Sequence, residues 1–191
     1  MIVPINEKDE IILDKITKIH RENYPDDHIS GHLSVKLVQK YYSYFFDDLS
    51  NIALFLDSSS DVRGFIVYGT EVPKKIAQFK SDNSVGIFYF FISKPKLFVR
   101  FIIKKIIALF LRMDEFVESD FLVLSIVSDN SMKGVGSELI DNAFEYCIKN
   151  GIPSIGLYVA CTNVKAINFY LRKKFLVVSY CKGQFYMQKT F

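Results

Sequence analysis

Along this chain, stretches whose apolar residues recur at helical spacing give way to short apolar runs that suit strands. Ile2–Ile5 reads as a short edge strand in which Pro4 limits pairing. With Asn6 as N-cap, a helix is predicted from Glu7 to Asn23, where Ile11, Ile12, Ile16 and Ile19 recur at helical spacing, and Tyr24-Pro25-Asp26-Asp27-His28 stops it. A second helix is predicted from Leu33 to Phe46, with Leu33, Leu37, Val38, Tyr41, Tyr42 and Phe45 on one side. Ile52–Leu56 and Gly64–Tyr68 read as paired strands joined by the polar turn Asp57–Arg63. Val72–Ser84 is polar and poorly patterned, which predicts a loop, and the apolar run Val85–Ile92 predicts an extended segment.

The remaining elements follow in a regular order. A strand over Phe121–Val127 leads through a glycine-containing loop into a helix over Ser137–Lys149, closed by Asn150-Gly151. Then come a strand at Ile155–Val159, a helix at Val164–Lys173, and strands at Leu176–Tyr180 and Phe185–Gln188 around the Lys182-Gly183 turn. The order contains no internal repeat or low-complexity linker. It implies a mixed α/β sheet, of the α+β kind, with helices on both faces, in one domain spanning residues 1–191.

Composition narrows this picture. Half of the residues are apolar, with 18 Phe and 11 Tyr, so one well-packed core is expected without metals or disulfides. Cys147, Cys161 and Cys181 have no metal-ligand spacing and read as reduced thiols, with no metal site expected. A formal charge of +3 does not call for nucleic acid. Asn6–Glu10 is polar where the apolar core of a secretory leader would begin, so a cytoplasmic protein is expected.

Leu97–Met113 is the least ordinary stretch, because strong hydrophobicity is combined with Arg100, Lys104, Lys105 and Arg112 and no acidic residue. Its charges recur too often for a membrane span. Read as an extra helix, it is expected to pack on the sheet with its basic edge in water. The alternative is an interfacial helix on the cytoplasmic face of an anionic membrane.

Chemistry concentrates at Ser131-Met132-Lys133-Gly134-Val135-Gly136-Ser137. A strand, a glycine loop and a helix in succession leave the first N–H groups of the helix unpaired, and small residues let an anion approach them, so an anion site is predicted. Downstream, Asn163 and Tyr170 lie near the two ends of the next predicted helix.

These two segments resemble the GNAT (Gcn5-related) N-acetyltransferase superfamily. Its acetyl-CoA motif, Arg or Gln, two residues, Gly, one residue, then Gly or Ala, corresponds to Ser131–Gly136. Its Asn, Ala and Tyr signature corresponds to Asn163, Ala166 and Tyr170, followed by Lys174-Phe175 in place of Gly-Phe. The resemblance implies a twisted, mostly antiparallel sheet with one splayed strand pair, and acetyl-CoA as co-substrate. It also implies a cradle for pyrophosphate on the N–H groups from Lys133 to Ser137, and backbone pairing of Ile126, Val127 and Ser128 with the pantetheine arm. A backbone N–H near Ile126 or Val127 would polarise the thioester. Asn163 would cap its helix, contact CoA, or both, and Tyr170 would protonate the leaving thiolate.

Two departures bear on function. Ser131 replaces a side chain that helps order the loop, with Lys133 as a compensating charge, and Lys174 replaces a glycine. The acceptor is expected to be a small-molecule amine that attacks the thioester directly. By a looser resemblance to acetyltransferases of surface-polysaccharide synthesis, it would be a free or nucleotide-linked amino sugar. Acceptor-side candidates are His28, Ser30 and Glu71, with His32, Glu118 and Asp120 as further candidates for a base. The rival readings are protein or peptide N-acetylation, a non-catalytic CoA-binding module, and a membrane-surface adaptor.

Overall fold

The computed structural model describes residues 1–5, 7–24, 29–96, 98, 99, 102, 118–181 and 183–191. The elements in order are β1 (Ile2–Ile5), α1 (Glu10–Asn23), a 3-10 turn (Ile29–His32), α2 (Val35–Ser43), β2 (Ser50–Leu56), β3 (Val62–Thr70), α3 (Val72–Asp82) and α4 (Ser84–Ser93). There follow β4 (Phe121–Ser128), α5 (Val135–Lys149), β5 (Ser154–Ala160), α6 (Val164–Arg172), β6 (Leu176–Cys181) and β7 (Gln184–Thr190). Seven strands form one open sheet in the order β1-β2-β3-β4-β5-β7-β6, and every neighbouring pair is antiparallel except β4 with β5. The expected mixed architecture is therefore present.

Two apolar layers sandwich this sheet. On one face Leu13, Ile16, Val38, Tyr42, Phe45, Phe65, Val67 and Phe79 pack α1, α2 and α3 against the strands. On the other, Val135, Leu139, Ile140, Ala143, Phe144, Tyr170 and Phe175 pack α5 and the end of α6.

Several boundaries and two whole elements differ from expectation. The first helix starts at Glu10, because Asp9 caps it by accepting a hydrogen bond from the Ile11 N–H (2.7 Å), while Asn6 lies outside the described residues. Val72–Asp82 is a helix, with Pro73 in its first turn. Its core face is Val72, Lys75, Ile76 and Phe79, and the lysine disguises the period. Lys75 is buried, lies 5.7 Å from the Phe45 ring, and donates to Asp47 Oδ1 and Ser50 Oγ at 2.6 Å each.

The run expected to be extended is also a helix, α4. It is apolar on nearly all sides, which hides its period. Gly86 faces Leu37 and Phe90 is buried, while Val85, Phe88, Tyr89 and Ile92 are exposed. The helix expected over Leu97–Met113 lies largely outside the described residues. Among the described residues no helix is long and apolar enough to cross a membrane.

Candidate functional site

Among the described residues the one parallel junction of the sheet is also its shortest: β4 and β5 share just the pairs Leu122 with Gly156 and Val123 with Leu157. Beyond them the edge of β4 has no strand partner on that side. One extra residue, Leu124, bulges from β4 where Tyr68 pairs with Val123 and Val67 with Ser125. The bulge inverts the alternation of side chains. Leu122 and Leu124 belong to the α1–α2 layer before it, and Val127 belongs to that layer after it, whereas Ile126 turns to the α5 layer.

A cleft of about 990 Å³ opens at this junction, and Ser125–Ser128, Met132–Ser137 and one side of α6 line it. Gly64 lets the walls approach. A Cβ there would sit 2.7 Å from both the Val127 carbonyl oxygen and Val135 Cγ1, so a side chain would push β4 and the start of α5 off β3.

Helix α5 begins at Val135, two residues earlier than expected, behind Gly134. Gly134 has φ +91°, a conformation that glycine adopts without steric cost. Among the described residues no side chain caps this helix, so the N–H groups of its first turn are left to the cleft at the positive end of the helix dipole.

Ser131 orders the loop rather than loosening it. Its N–H (2.9 Å) and hydroxyl (2.6 Å) both donate to Asp129 Oδ1, and Arg63 Nη1 reaches Asp129 Oδ2 (3.4 Å) while Arg63 Nε donates to Asp57 (2.7 Å). The polar β2–β3 turn is thereby tied to the glycine loop. Burial alone would raise the Asp129 carboxyl, but the Ser131 hydroxyl, the Ser131 N–H and the Arg63 guanidinium together hold it below the usual carboxylate range. A carboxylate depressed in the folded state contributes fully above its unfolded value and loses that contribution as pH falls through the folded one. The tie therefore persists at neutral pH and is released only in acid.

On α6, Asn163 is the N-cap and accepts from the Ala166 N–H (3.1 Å), and it also lines the cleft. Tyr170 lies two residues before the helix end, buried but lining the cleft. Burial first, and Tyr24 second, push its phenol well above the ordinary value, so it remains a neutral donor.

The helix closes with Phe175 N–H donating to the Tyr170 carbonyl and Lys174 N–H to that of Leu171, each at 3.0 Å. This six-to-one and five-to-two pairing is a Schellman motif, and its apolar contact is that of Tyr170 with Phe175, whose ring centroids are 5.5 Å apart. Lys174 occupies the left-handed position at φ +67°, where the equivalent residue after α5 is Gly151, also at +67°. Changing Lys174 to Gly is therefore expected to stabilise the protein by about 1 kcal/mol, read as a higher midpoint in urea with unchanged slope.

Among the described acceptor-side candidates, none lines the cleft. His28 and the Ser30 side chain lie outside the described residues. Glu71 is strained at φ +54°, precedes α3 and pairs with Lys74 (3.0 Å), and neither it nor His32, Glu118 or Asp120 is among the lining residues. The structure brings in residues that the sequence did not single out: Asn23 and Tyr24 from the end of α1, and Lys165 and Arg172 from α6, beside Lys133. Lys173 also lines the cleft, but its ammonium is held by both oxygens of Asp141 (2.7 and 2.6 Å).

Behind the cleft wall, Tyr42 hydroxyl lies 3.2 Å from Ser125 Oγ and 2.7 Å from His20 Nδ1, and the His20 ring stacks on Tyr24 at 4.0 Å. Helical spacing marks His20 and Tyr42 only as core-facing positions, so their pairing is a tertiary fact. Among the described residues no cluster of His, Cys, Asp or Glu could hold a metal ion.

Residues 129–175 match the model of the acetyltransferase (GNAT) family. No curated protein matches the chain. Solved structures share the fold across the whole chain at low identity. The PaiA N-acetyltransferase from Thermoplasma acidophilum, in complex with coenzyme A, is 14% identical, with 100% of this chain and 99% of that one covered and a TM-score of 0.56. The ribosomal-protein-S18-alanine N-acetyltransferase from Escherichia coli is 11% identical, with 100% and 94% covered and a TM-score of 0.59. An aminoglycoside 6'-acetyltransferase type Ii is 13% identical, with 100% and 96% covered and a TM-score of 0.60. The matched segment contains the glycine loop, α5, β5 and α6; over it the chain is similar to the acetyltransferase (GNAT) family, and with the solved structures it shares the fold.

Proposed function

We propose that the chain acetylates an amino sugar, free or nucleotide-linked, by direct attack of its amine on acetyl-CoA. The observation that carries the reading is the unpaired edge of β4 beside the uncapped start of α5, a strand-like slot for the pantetheine amides next to donors for pyrophosphate. In this reading Ile126, Val127 and Ser128 hold the pantetheine arm, and Ser131–Ser137 and Asn163 hold the phosphates. A backbone N–H of Ile126 or Val127 polarises the carbonyl. Tyr170 donates its proton to the leaving sulfur as the C–S bond breaks. The amine proton leaves through Ser125 and Tyr42 to His20 Nδ1, along hydroxyls already in contact.

The lining favours a sugar phosphate over a cationic peptide. Among the described lining residues none carries a carboxylate, Lys133, Lys165 and Arg172 are basic beside the Asp141-paired Lys173, and Tyr24 and Tyr158 offer aromatic surfaces. Thiol release from acetyl-CoA, followed with nucleotide amino sugars, free amino sugars and lysine-bearing peptides, tests this. Turnover is expected on the sugars, and a preference for peptides would overturn the acceptor assignment.

A further inference from the structure

Helix α4 plays no part in the cleft, yet it presents a continuous apolar stripe to solvent. Val85, Phe88, Tyr89 and Ile92 stand one helical turn apart and are 67%, 63%, 65% and 59% exposed. The stripe continues past the helix through the exposed Phe98, Val99 and Ile102, with Phe98 anchored 5.4 Å from the Phe91 ring. A monomer rarely leaves so large a contiguous apolar surface in water.

Charge identifies what covers it. From Ser84 to Met113 the sequence has six basic residues and no acidic one, against +3 for the entire chain, so the remainder is net acidic. Lys94 and Lys96, directly after α4, are exposed. A second copy is a poor occupant, because a two-fold interface sets a patch against itself and would bring these cations together. Residues 103–117 set Lys104, Lys105 and Arg112 against Asp114 and Glu115, a net charge of +1 that would not neutralise the cations of this stretch. A surface that is apolar a few ångströms down and anionic on top satisfies both features, and Phe and Tyr suit its boundary.

We infer that α4 docks the protein on an anionic lipid bilayer, with Val85, Phe88, Tyr89 and Ile92 inserted among the headgroups and Lys94 and Lys96 against lipid phosphates.

The test is co-sedimentation of the full chain with vesicles of phosphatidylcholine, alone or mixed with phosphatidylglycerol, without acetyl-CoA, so that the outcome is independent of the acetyltransferase reading. Binding is expected on the mixed vesicles, about tenfold weaker on phosphatidylcholine alone, and weaker as salt is raised. The double variant Phe88→Ser/Ile92→Ser is expected to lose binding by about tenfold or more. Lys94→Glu/Lys96→Glu is expected to lose the preference for anionic lipid. Both variants should retain the far-ultraviolet spectrum, because all four side chains are exposed. Absence of wild-type binding, undiminished binding by the Ser variant, or a dimer in solution that this variant dissolves would each overturn the inference.

Discussion

Replacing Tyr170 by Phe is expected to lower turnover by about a hundredfold while acetyl-CoA affinity stays within about twofold. The change removes one oxygen and leaves the ring, whose neighbours Phe169 (5.2 Å) and Phe175 (5.5 Å) hold it in the second apolar layer. The Schellman closure of α6 uses the Tyr170 backbone carbonyl, so it too survives. What is lost is a hydroxyl that burial keeps protonated throughout the neutral range. Burial that keeps the phenol neutral, and so able to donate to a developing thiolate, also makes it a reluctant source of a free proton. Transfer is therefore expected to be concerted with C–S cleavage, and the wild-type pH profile should show no limb from Tyr170 below about pH 10. Turnover unchanged in the Phe variant would remove Tyr170 from the mechanism.

The second large effect is expected at Tyr42. Its change to Phe should cut turnover about tenfold or more without altering acetyl-CoA affinity, because it severs the path from Ser125 to His20. It also carries a structural cost of about 1–3 kcal/mol, since two buried groups lose a shared partner. Ser125→Ala separates the two effects. That variant keeps the Tyr42 contact with His20 (2.7 Å) and opens the path only at the cleft, so a proton-transfer role predicts a similar kinetic loss with a smaller fall in melting temperature. If Ser125→Ala turns over normally, the network serves packing alone.

The fold and the glycine loop were more legible in the sequence than the surroundings of the cleft, for physical reasons. The strand, glycine loop and helix from Phe121 to Lys149 are encoded by near neighbours, and Asn150-Gly151 and Asn163 announce caps that the structure contains. Helix α3 escaped because a buried lysine occupies a core position, which its bonds to Asp47 and Ser50 make tolerable. Helix α4 escaped because its outer face is as apolar as its inner one, and the same property makes it a candidate docking surface.

Ser131 appeared to be a lost loop-ordering group. Its compensation comes from Asp129 next to it and from Arg63, far away in sequence, which nothing local reveals. His20, Tyr42 and Ser125 meet only because α1, α2 and β4 pack together, and Ser125 faces that layer only because of the bulge at Leu124.

The central claim is that acetyl-CoA lies in the gap between β4 and β5 with its phosphates on the first turn of α5. Titration calorimetry of the full chain with acetyl-CoA tests it most directly when the wild type is compared with Gly134→Val, which forces a β-branched residue into φ +91° beside the cradle. One saturable site per chain is predicted for the wild type, and a loss of affinity of about tenfold or more is predicted for the variant. No binding by the wild type, or equal affinity in a folded variant, would contradict it.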